Sequence, residues 1–574
     1  MTNNTIISEM FNRIADILEI QGESGFKVNA YRRASRVIEE LGEDIEQRWQ
    51  AKTLHELPGI GDALVKKIDE FLSTGTMKKY DEMMASSAAP LVDLLSIQNL
   101  GPKTVALMHQ KLGVTSIDDI IRVMDNGQLA TLPGMGDKKL ENIRKGIELF
   151  QAGQSRITIG KADKIIQHVL AEFQERMPLP DVTPAGSFRR MKATIGDLDL
   201  LVAAENGAEV IDVFVNLPDA TEVLAAGDTK GSIRVDKGIQ VDLRVVKKNE
   251  FGAALQYFTG SQAHNVKLRG IARKMGLKIN EYGVFEGERA VAGADEAGVY
   301  QALGLPWIPP ELREDRGEIE TAQAGDLPDL IEQDNIRGDL HVHTTYSDGH
   351  HSIAEMAESA RQRGYQYIAI CDHSRSAIYA NGLSIHRLQQ QGNEIDDLNQ
   401  RFSDFTVLKG CEVDILPDGE LDFPNDILAT LDIVVASIHS GFTQNVTQRI
   451  LKAIENPFVD IIAHPTGRLY TKRDAYNIDL DVVFKKAAET GAALEINSHP
   501  MRLDLSDIHT RQAQAHGVAI SINTDAHTSD GYDYVKYGIG TARRGWAEAH
   551  HVINTFTIDQ LRAWQRSRPK GRTQ

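Results

Sequence analysis

The spacing of hydrophobic and polar positions changes twice along the chain, and each change indicates a different kind of domain. Residues 1–150 show a helical period, with amphipathic segments separated by short glycine-containing turns. In DLDLLVAA (197–204) and IQVDLRVV (239–246), polar and apolar residues alternate with a period of two, which is typical of strands. From residue 339 onward, short apolar runs such as YQYIAICDH and DIVVASIHS alternate with helical stretches. The pattern predicts an all-α N-terminal part, a sheet-containing middle part and repeated strand–helix units at the end.

In the C-terminal part, polar residues stand at the C-terminal end of each apolar run. Repeated strand–helix alternation implies parallel strands, arranged either in a barrel or in an open sheet. Enzymes with parallel barrels place their chemistry at the C-terminal ends of the strands. We therefore expect a site where these runs end.

The net charge of −18 at first argues against nucleic acid as a partner. The acidic residues are concentrated, however, because residues 309–335 hold nine Asp/Glu and two Arg. This stretch is also punctuated by Pro and Gly, and it predicts an acidic linker or domain edge. Residues 1–308 hold 42 acidic and 37 basic residues and are nearly neutral. Local basic patches and helix N-termini can still bind phosphates, so net charge does not exclude DNA.

The length and the cysteine content restrict the number of domains and the cellular compartment that the sequence predicts. A chain of 574 residues is too long for one hydrophobic core and predicts several domains. Its two cysteines cannot form a disulfide framework, which agrees with a reducing compartment. No apolar run approaches the roughly 20 residues that span a bilayer, and the N-terminus lacks the features of a signal peptide. We expect a cytoplasmic protein with no membrane partner, and we favour a monomer.

A glycine-containing turn recurs before amphipathic helices, in LPGIGDALVKKI, LGPKTVALM and LPGMGDKKLENI. Glycine lets backbone N–H groups approach a phosphate at a helix N-terminus. A single copy would be typical of an ordinary helix-turn-helix corner, whereas two good matches favour DNA contact. The glycines expected to make it are Gly59, Gly61, Gly134 and Gly136.

Three aspartates interrupt the strands of the middle part. Asp197 and Asp199 share one face of their strand, and Asp242 interrupts the later strand. Converging carboxylates need a cation, and oxygen ligands suit Mg²⁺. The preceding GSFRR turn (186–190) offers N–H groups, a hydroxyl and guanidinium groups to a triphosphate. The alternative is a pair of solvated aspartates in an edge strand; the whole set favours two-metal phosphoryl transfer.

Histidines cluster in the C-terminal part, where 14 of the 18 lie in residues 336–574. A lone histidine at a strand end is usually solvated, but here six histidines and three carboxylates lie at or near the ends of apolar runs. This donor set suits Mn²⁺, Zn²⁺ or Fe²⁺ rather than Ca²⁺, and it is large enough for two or three ions. Glu412 is the candidate bridging ligand. The nine residues are His341, His343, Asp348, His373, Glu412, His439, His464, Asp525 and His527.

The run AGSFRRMKATIGDLDLLVA resembles the palm motif of family X DNA polymerases, the DNA polymerase beta group. The resemblance extends over about residues 11–309 and includes FKVNAYRRASRVI and YFTGSQAHNVKLRGIARKMGLKINEYG. It implies template-directed filling of short gaps in DNA repair, with dNTPs and gapped or primer-template DNA as partners. It also implies that Asp197, Asp199 and Asp242 are catalytic and hold two Mg²⁺, and that Asp242 accepts the proton of the primer 3′-hydroxyl.

The same resemblance implies roles for residues around the aspartates. Asn265 would meet the base edge in the minor groove and Arg269 the templating base. Gln262 stands where animal members have an aspartate over the incoming base, which puts base-stacking affinity in doubt. The implied triphosphate contacts are Gly186, Ser187, Arg190 and Arg156. The implied sugar contacts are Tyr257, Phe258 and Gly260.

Lys67 matches the lysine that forms a Schiff base with deoxyribose phosphate in relatives with lyase activity. Lys27 and Tyr31 match neighbouring phosphate contacts. Phe26 and Ala63, however, replace residues that are basic in animal members. A solvated lysine or a phosphate contact therefore remains an open alternative for Lys67.

The C-terminal pattern resembles the PHP (polymerase and histidinol phosphatase) domain over about residues 335–559, with all nine ligand positions filled. The resemblance implies a distorted (β/α)7 barrel and a Mn²⁺-dependent 3′-5′ exonuclease, with abasic-site incision as a further activity to test. Arg375, Arg468 and Arg502 are candidates for phosphate contacts or for surface salt bridges. Two rivals remain: a small-molecule phosphoesterase whose N-terminal half tethers it to DNA, and a non-enzymatic scaffold at DNA ends.

The predicted fold is multidomain: all-α helix-hairpin-helix domains, an α+β nucleotidyltransferase palm and thumb, and a C-terminal PHP barrel. The predicted boundaries are 1–85 for a lyase-like helical domain, 86–152 for a second hairpin domain, 153–248 for the palm, 249–308 for the thumb, 309–335 for the acidic linker and 336–574 for the PHP domain.

Overall fold

A computed structural model describes most of the chain as two compact units, Met1–Ser155 and Arg156–Gln574. No helix within the described ranges is long and apolar enough to cross a membrane. The described residues are 3–39, 45–57, 59–86, 88–97, 100–136, 139–141, 143–144, 146–147, 156–177, 182–235, 239–470 and 472–569.

The first unit is all-α, as the helical period predicts. Its apolar stripes form two cores, one around Phe11, Ile14 and Ile68 and one around Leu91 and Val105. Burying such a stripe stabilises helices that would be marginal alone. Among the described residues, its α-helices include Asn3–Ile20, Gly25–Glu39, Ile45–Gln50, Asp62–Thr74, Lys78–Met84, Ala89–Val92, Pro102–Leu112 and Ile117–Asp125.

The palm is a mixed five-stranded sheet in the order β2-β4-β7-β6-β5. Strands β4 and β7 pair in parallel and the other neighbours are antiparallel. The apolar side chains of these strands pack against helices Ile159–Arg176 and Gly207–Val215. Two short strands, β1 and β3, pair separately. The strands are β1 Ile157–Thr158, β2 Thr183–Pro184, β3 Thr194–Ile195, β4 Leu198–Ala203, β5 Glu222–Ala226, β6 Lys230–Val235 and β7 Ile239–Val246.

The thumb follows with helices and a three-stranded antiparallel sheet in the order β10-β9-β8. A buried charge cluster joins it to the palm, because Arg189 donates to both carboxylate oxygens of Glu296 at 2.7 and 2.8 Å. Arg313 adds a third contact to Glu296 at 2.7 Å. The elements are helices Phe251–Thr259, Gln262–Lys274 and Glu296–Ala302 and strands β8 Lys278–Asn280, β9 Gly283–Glu286 and β10 Arg289–Ala292.

The acidic stretch 309–335 is folded rather than extended. It contains the helix Glu318–Ala324, and Glu318 is fully buried. The Glu318 carboxylate meets the buried His264 ring at 2.6 Å. Basic residues of other parts also pair with this segment: Arg190 of the palm with Glu314 at 3.0 Å, Lys267 of the thumb with Asp315 at 2.6 Å and Arg543 of the barrel with Glu311 at 2.7 Å. These ion pairs allow an acidic segment to pack against the rest of the protein.

The C-terminal part is a seven-stranded parallel sheet in sequence order from β11 to β17. Val342, at the end of β11, forms a parallel bridge with Ala526 beyond β17, so the two edge strands meet and the sheet is nearly closed. Among the alternatives left open above, this is the barrel, and the predicted fold class is confirmed. The strands are β11 Gly338–Val342, β12 Tyr367–Ile370, β13 Thr406–Asp414, β14 Ile433–Ser437, β15 Ile461–Ile462, β16 Ala493–Asn497 and β17 Ile520–Asn523.

Helices surround the barrel and connect its strands. One of them, Val535–Arg544, packs against the palm, where the Tyr537 hydroxyl donates to the buried Asp163 at 2.7 Å. Leu503 joins the palm core. The remaining helices are Ile353–Gln362, Ile385–Asn399, Asn425–Leu428, Val446–Ile454, Leu480–Thr490, Asp507–Ala515 and Ile558–Ser567.

Candidate active sites

Three aspartates meet on two paired strands of the palm. Asp199 in β4 lies directly opposite Asp242 in the parallel strand β7. Asp197 immediately precedes β4. Gly186 approaches them with φ of +60°, and a Cβ atom added there would collide with the Asp199 carboxylate. Glycine is therefore required at this turn both for its backbone conformation and for space.

The electrostatics of the trio favour a cation. Burial, together with Asp197 and Asp242, raises the pKa of Asp199 to about 7. Burial also acts to raise the pKa of Asp242, but contacts from Gln240 at 2.8 Å and Lys230 at 2.9 Å help to lower it. Adjacent buried carboxylates ionise together only when positive charge neutralises them. A set of carboxylate oxygens fits Mg²⁺.

Arg190, a predicted triphosphate contact, is only 9 % exposed. Its guanidinium donates to Glu314 at 3.0 Å and to the Thr259 carbonyl at 2.5 Å. Arg544 of the barrel also donates to Glu314, at 2.9 Å. A triphosphate contact from Arg190 therefore requires it to share its donors with Glu314. This ion pair was not predicted, because the two residues lie far apart in the chain.

The other predicted nucleotide contacts lie on or beside three helices, Gly186–Arg189, Phe251–Thr259 and Gln262–Lys274. Asn265 is committed to protein contacts, because it accepts from Gln256 and donates to the Tyr257 carbonyl, both at 2.8 Å. The rings of Tyr257 and Phe258 meet edge to face, with centroids 5.1 Å apart. Ser187 lies in the short helix Gly186–Arg189, Gly260 ends helix Phe251–Thr259 with φ of +68°, and Gln262 and Arg269 are exposed on the following helix.

The close approach at Gly186 leads to a prediction. Gly186→Ala should lower the rate of nucleotide addition by about 10²-fold, because a small displacement of a catalytic group has an effect of that order. Single-turnover extension of a gapped primer measures the effect. Gly227→Ala, where an added Cβ makes only an ordinary contact, is the control. Equal rates for the two variants would contradict the role of Gly186.

The first unit contains the hairpin glycines and Lys67. Gly59 and Gly134 have φ of +80° and +75°, and Gly61 caps helix Asp62–Thr74. Gly136 accepts the N–H groups of residues 139 and 140 through its carbonyl. These turns thus have the backbone form expected for hairpins, while their contact with DNA stays a prediction.

The Lys67 ammonium donates to the Ala63 carbonyl at 2.8 Å and lies 5.9 Å from the centre of the Tyr31 ring. Burial is the main cause that lowers the pKa of Lys67. Tyr31 is 6 % exposed and packs in the core, and Lys27 is paired with Glu23 at 3.2 Å. A lowered pKa favours a free amine, but the choice between lyase and phosphate contact stays open.

In the barrel, the structure brings all nine predicted ligands together. Glu412 lies at the centre, with one carboxylate oxygen 3.5 Å from His341 Nε2 and 2.8 Å from His373 Nδ1. Its other oxygen is 3.4 Å from His439 and 3.1 Å from His464. A carboxylate shared in this way suits a bridging role.

The remaining ligands form the other side of the cluster. Asp348 lies 3.6 Å from His373 and 3.5 Å from His527, and Asp525 lies 3.1 Å from His343. Three overlapping groups have donor atoms within 4.8 Å of one another, as a cluster of ions requires. These groups are His343–Asp348–His373–His527, His341–His343–Glu412 and His373–Glu412–His439.

Two observations show that this donor set fits divalent cations. The Nδ1 atom of His343 is buried and has no hydrogen-bond partner within the described part of the chain. Burial acts to raise the pKa of Glu412, but the surrounding imidazoles, led by His439, hold it well below its usual range. An ionised carboxylate and an unpaired imidazole nitrogen are both metal donors.

Two carboxylates that orient the histidines were missed in the sequence. Glu495 in β16 contacts His341 Nδ1 at 2.8 Å, and Asp414 in β13 contacts His439 Nδ1 at 2.6 Å. Such outer contacts fix the ring orientation of ligating histidines. The alternation of β13 contains a usable signal, because Asp414 follows Glu412 by two residues and so shares its face.

The three flanking arginines differ in their contacts. Arg375 is bound to Asp422 at 2.9 Å, and Arg468 donates to backbone carbonyls of residues 502 and 503. Arg502 lies 3.7 Å from the Asp525 carboxylate, and its buried Nη1 has no hydrogen-bond partner among the described residues. Arg502 is therefore the best placed of the three to contact a phosphate at the cluster.

Four family models match the chain. Residues 2–77 match a helix-hairpin-helix domain and residues 91–148 a SAM-like helix-hairpin-helix tandem. Residues 254–314 match the DNA polymerase beta thumb, and residues 339–499 match the PHP domain. The matches follow the same order as the domains described above.

Three curated relatives are similar to the chain over very different lengths. The DNA polymerase/3′-5′ exonuclease PolX of Bacillus subtilis is 39% identical over 565 residues, which are 97% of this chain and 98% of that protein. DNA polymerase lambda of Arabidopsis thaliana is 25% identical over 54% of this chain and 62% of its own. A probable phosphatase of Thermoanaerobacter is 34% identical over 33% of this chain and 79% of its own.

The first of these relatives aligns from end to end, so its domain order is shared as well as its individual domains. The palm carboxylates and the histidine cluster both lie within the span of this alignment. Seven of the nine cluster residues also lie within the range that matches the PHP domain. The chain therefore belongs to the PolX family, the family X DNA polymerases with a C-terminal PHP domain.

Proposed function

We propose that the protein is a DNA-directed DNA polymerase that fills short gaps in DNA repair, and that its PHP domain is a 3′-5′ exonuclease. The observation that best supports both activities is the presence of two complete donor sets in one chain, Asp199 beside Asp242 in the palm and the Glu412-centred cluster in the barrel. A tether or a scaffold would need neither set.

In the palm, Asp197, Asp199 and Asp242 would hold two Mg²⁺, which would supply positive charge to the triphosphate and to the developing negative charge. Asp242 accepts the proton of the primer 3′-hydroxyl. Lys230, 2.9 Å from Asp242, keeps that carboxylate ionised before the reaction. Ser187 and Arg190 bind the triphosphate from the Gly186 turn, and the hairpins of the first unit hold the DNA backbone.

In the barrel, the nine ligands would hold two or three ions, and their mixture of imidazole and carboxylate suits Mn²⁺, with Zn²⁺ or Fe²⁺ as alternatives. Such ions supply Lewis acidity for phosphodiester hydrolysis. Glu495 and Asp414 hold His341 and His439 in the orientation needed for binding. Arg502 neutralises the scissile phosphate from the side of Asp525.

A rival function is phosphatase activity on a small molecule, since the barrel is also similar to probable phosphatases. Two large apolar side chains beside the cluster favour nucleic acid. Ile378 is 86 % exposed and Tyr379 is 70 % exposed. The Tyr379 ring centre lies 6.1 Å from the rings of both His373 and His439. An exposed aromatic ring at this distance can stack on the base of a terminal nucleotide.

This stacking leads to a prediction. Tyr379→Ala should slow removal of a base-bearing 3′-terminal nucleotide by about tenfold, since one base–aromatic stack is worth ~1–3 kcal/mol. Removal of an abasic 3′-terminal tetrahydrofuran residue should stay within about twofold, because no base is present to stack. Tyr379→Phe retains the ring and serves as the control. An equal loss on both strands, or on neither, would rule out stacking.

The whole proposal is tested on a duplex with a short gap, incubated with Mg²⁺ or Mn²⁺, with and without dNTPs. We expect template-directed extension when dNTPs are present. We expect shortening of the primer from its 3′ end when they are absent and Mn²⁺ is present. Extension that ignores the template would refute the polymerase assignment, and shortening from the 5′ end would refute the exonuclease assignment.

A further inference from the structure

One tight turn beside the metal-ligand cluster of the barrel presents two large apolar side chains to solvent, Ile378 and Tyr379, which we call the exposed pair. The turn, Ile378–Ala380, lies between β12 and the helix Ile385–Asn399. At 86 %, Ile378 is the most exposed of the large apolar side chains described in the second unit. Burial of an isoleucine side chain is worth ~1.5–3 kcal/mol. The fold does not recover this energy at Ile378, so a partner that covers the side chain would gain it.

The turn holds the exposed pair in place, because both of its flanks are tied to the barrel. Before the pair, the Ser376 N–H donates to the Asp422 carboxylate at 2.7 Å. After it, the Arg387 guanidinium donates to the Asn381 carbonyl at 2.9 Å. The residues on either side of the pair are buried alanines. The exposure of the two side chains is therefore imposed by ordered, anchored backbone.

The exposed pair lies next to the metal ligands. The Tyr379 ring centre is 6.1 Å from the ring centres of both His373 and His439. Ile378 precedes Tyr379 in the chain and is the more exposed of the two. Because consecutive Cα atoms are ~3.8 Å apart, a strand end that reaches the cluster past Tyr379 also passes close to Ile378.

The depth of the cluster restricts which 3′ ends can reach it. His341 and His343 are fully buried, and Glu412 is 1 % exposed. The last nucleotide of a paired strand is held in the duplex by its partner base and by stacking on the next base pair. Enzymes that bring such a nucleotide into a recessed site must unpair and unstack it, which costs free energy. A paired 3′ end therefore reaches these ligands readily only if a side chain offsets part of that cost.

We propose that Ile378 is a wedge that opens paired 3′ ends for the barrel. Its side chain packs on the base pair next to the end, in the place that the terminal pair occupied, while the freed terminal base stacks on Tyr379. Apolar side chains, isoleucine among them, insert between base steps in this way in DNA-binding proteins. Isoleucine has no polar side-chain atom to read a base edge, so the wedge acts on pairing and not on sequence. The proposal rests on the exonuclease function proposed for the barrel.

The test follows shortening of one labelled strand by the full chain with Mn²⁺, once as a duplex with a paired 3′ end and once as a single strand. We expect Ile378→Ala to slow removal of the paired terminal nucleotide by about tenfold, because unstacking a base step is no longer offset. The single strand should be shortened within about twofold of the wild-type rate, since it has no pair to open. Ile378→Leu, which keeps an apolar side chain of similar size, should retain paired-end removal. The control is Ile508→Ala, which changes an isoleucine 49 % exposed on helix Asp507–Ala515 and should alter neither rate.

Equal slowing of both substrates by Ile378→Ala would overturn the proposal, because the residue would then serve the cluster or the fold. Unchanged removal of the paired nucleotide would overturn it as well. Either result leaves the exonuclease itself in place, whereas a wild-type chain that shortens neither substrate refutes the exonuclease and the wedge together. The same substrates separate the wedge from the base stack: Tyr379→Ala should remain slow on the single strand, because stacking needs a base but no pair.

Discussion

The double variant Asp197→Asn/Asp199→Asn should lose gap filling by about 10³-fold or more, while its 3′-5′ exonuclease stays within about twofold of the wild type. The two carboxylates lie beside Asp242, and removing their charge removes the ligands that hold the catalytic ions. The histidine cluster lies in a separate barrel with its own ligands, so hydrolysis should not depend on them. Primer extension and primer shortening, measured on the same labelled duplex, check both parts.

The matched control for this variant is Asp212→Asn, which removes an exposed carboxylate from the palm helix Gly207–Val215. It should extend primers at the wild-type rate. A folded double variant that lost both activities would show that the palm carboxylates also serve hydrolysis, and the division of labour would be wrong.

The variant His341→Ala/His343→Ala should show the reverse result. Loss of two buried imidazoles should reduce primer shortening by about 10³-fold or more, because the ligands that position the ions are removed together. Both histidines lie within the donor groups around Glu412 and Asp525. Gap filling should stay close to wild type, and bound Mn²⁺, measured by elemental analysis after dialysis, should fall.

The control in this case is His386→Ala, an exposed histidine on helix Ile385–Asn399. It should retain both the bound metal and the exonuclease. Normal shortening by the double variant would place the hydrolytic centre elsewhere, even if gap filling were unchanged.

Much of the local fold could be predicted from the sequence, because the period of apolar residues indicates which face of a strand is buried. The run at 239–246 was predicted as a strand and is observed as Ile239–Val246. The apolar runs at 367–371, 433–437 and 493–497 likewise lie in or beside parallel strands of the barrel. The sequence could not predict that the sheet closes, because the bridge between Val342 and Ala526 joins positions that are far apart in the chain.

The candidate sites show the same limit, because residue types could be predicted from the sequence but contacts between distant residues could not. The ligand types at strand ends could be identified one by one, and the structure brings them together at Glu412. Contacts between oppositely charged residues far apart in the chain could not be foreseen. Glu314, for example, looked like part of an acidic linker, yet it pairs with Arg190 of the palm and Arg544 of the barrel.

Asp414 and Glu495 are intermediate cases. Each interrupts an apolar run, as the identified ligands do, and Asp414 shares a strand face with Glu412. They differ from the direct ligands in what they contact. Each of the two carboxylates reaches the Nδ1 atom of a histidine, whereas the Nε2 atom of that histidine faces Glu412. Sequence reasoning can identify such carboxylates as members of the site but cannot assign them to its inner or outer layer.

We propose that the two separate donor sets act in turn on one 3′ end. The most direct measurement uses a gapped duplex whose primer ends in one unpaired nucleotide, incubated with Mg²⁺, Mn²⁺ and dNTPs and sampled over time. We predict that the wild-type chain first removes the unpaired nucleotide and then fills the gap. The His341→Ala/His343→Ala variant should leave this primer intact and unextended, while still extending a fully paired primer. Extension from the unpaired end without prior shortening would contradict the account.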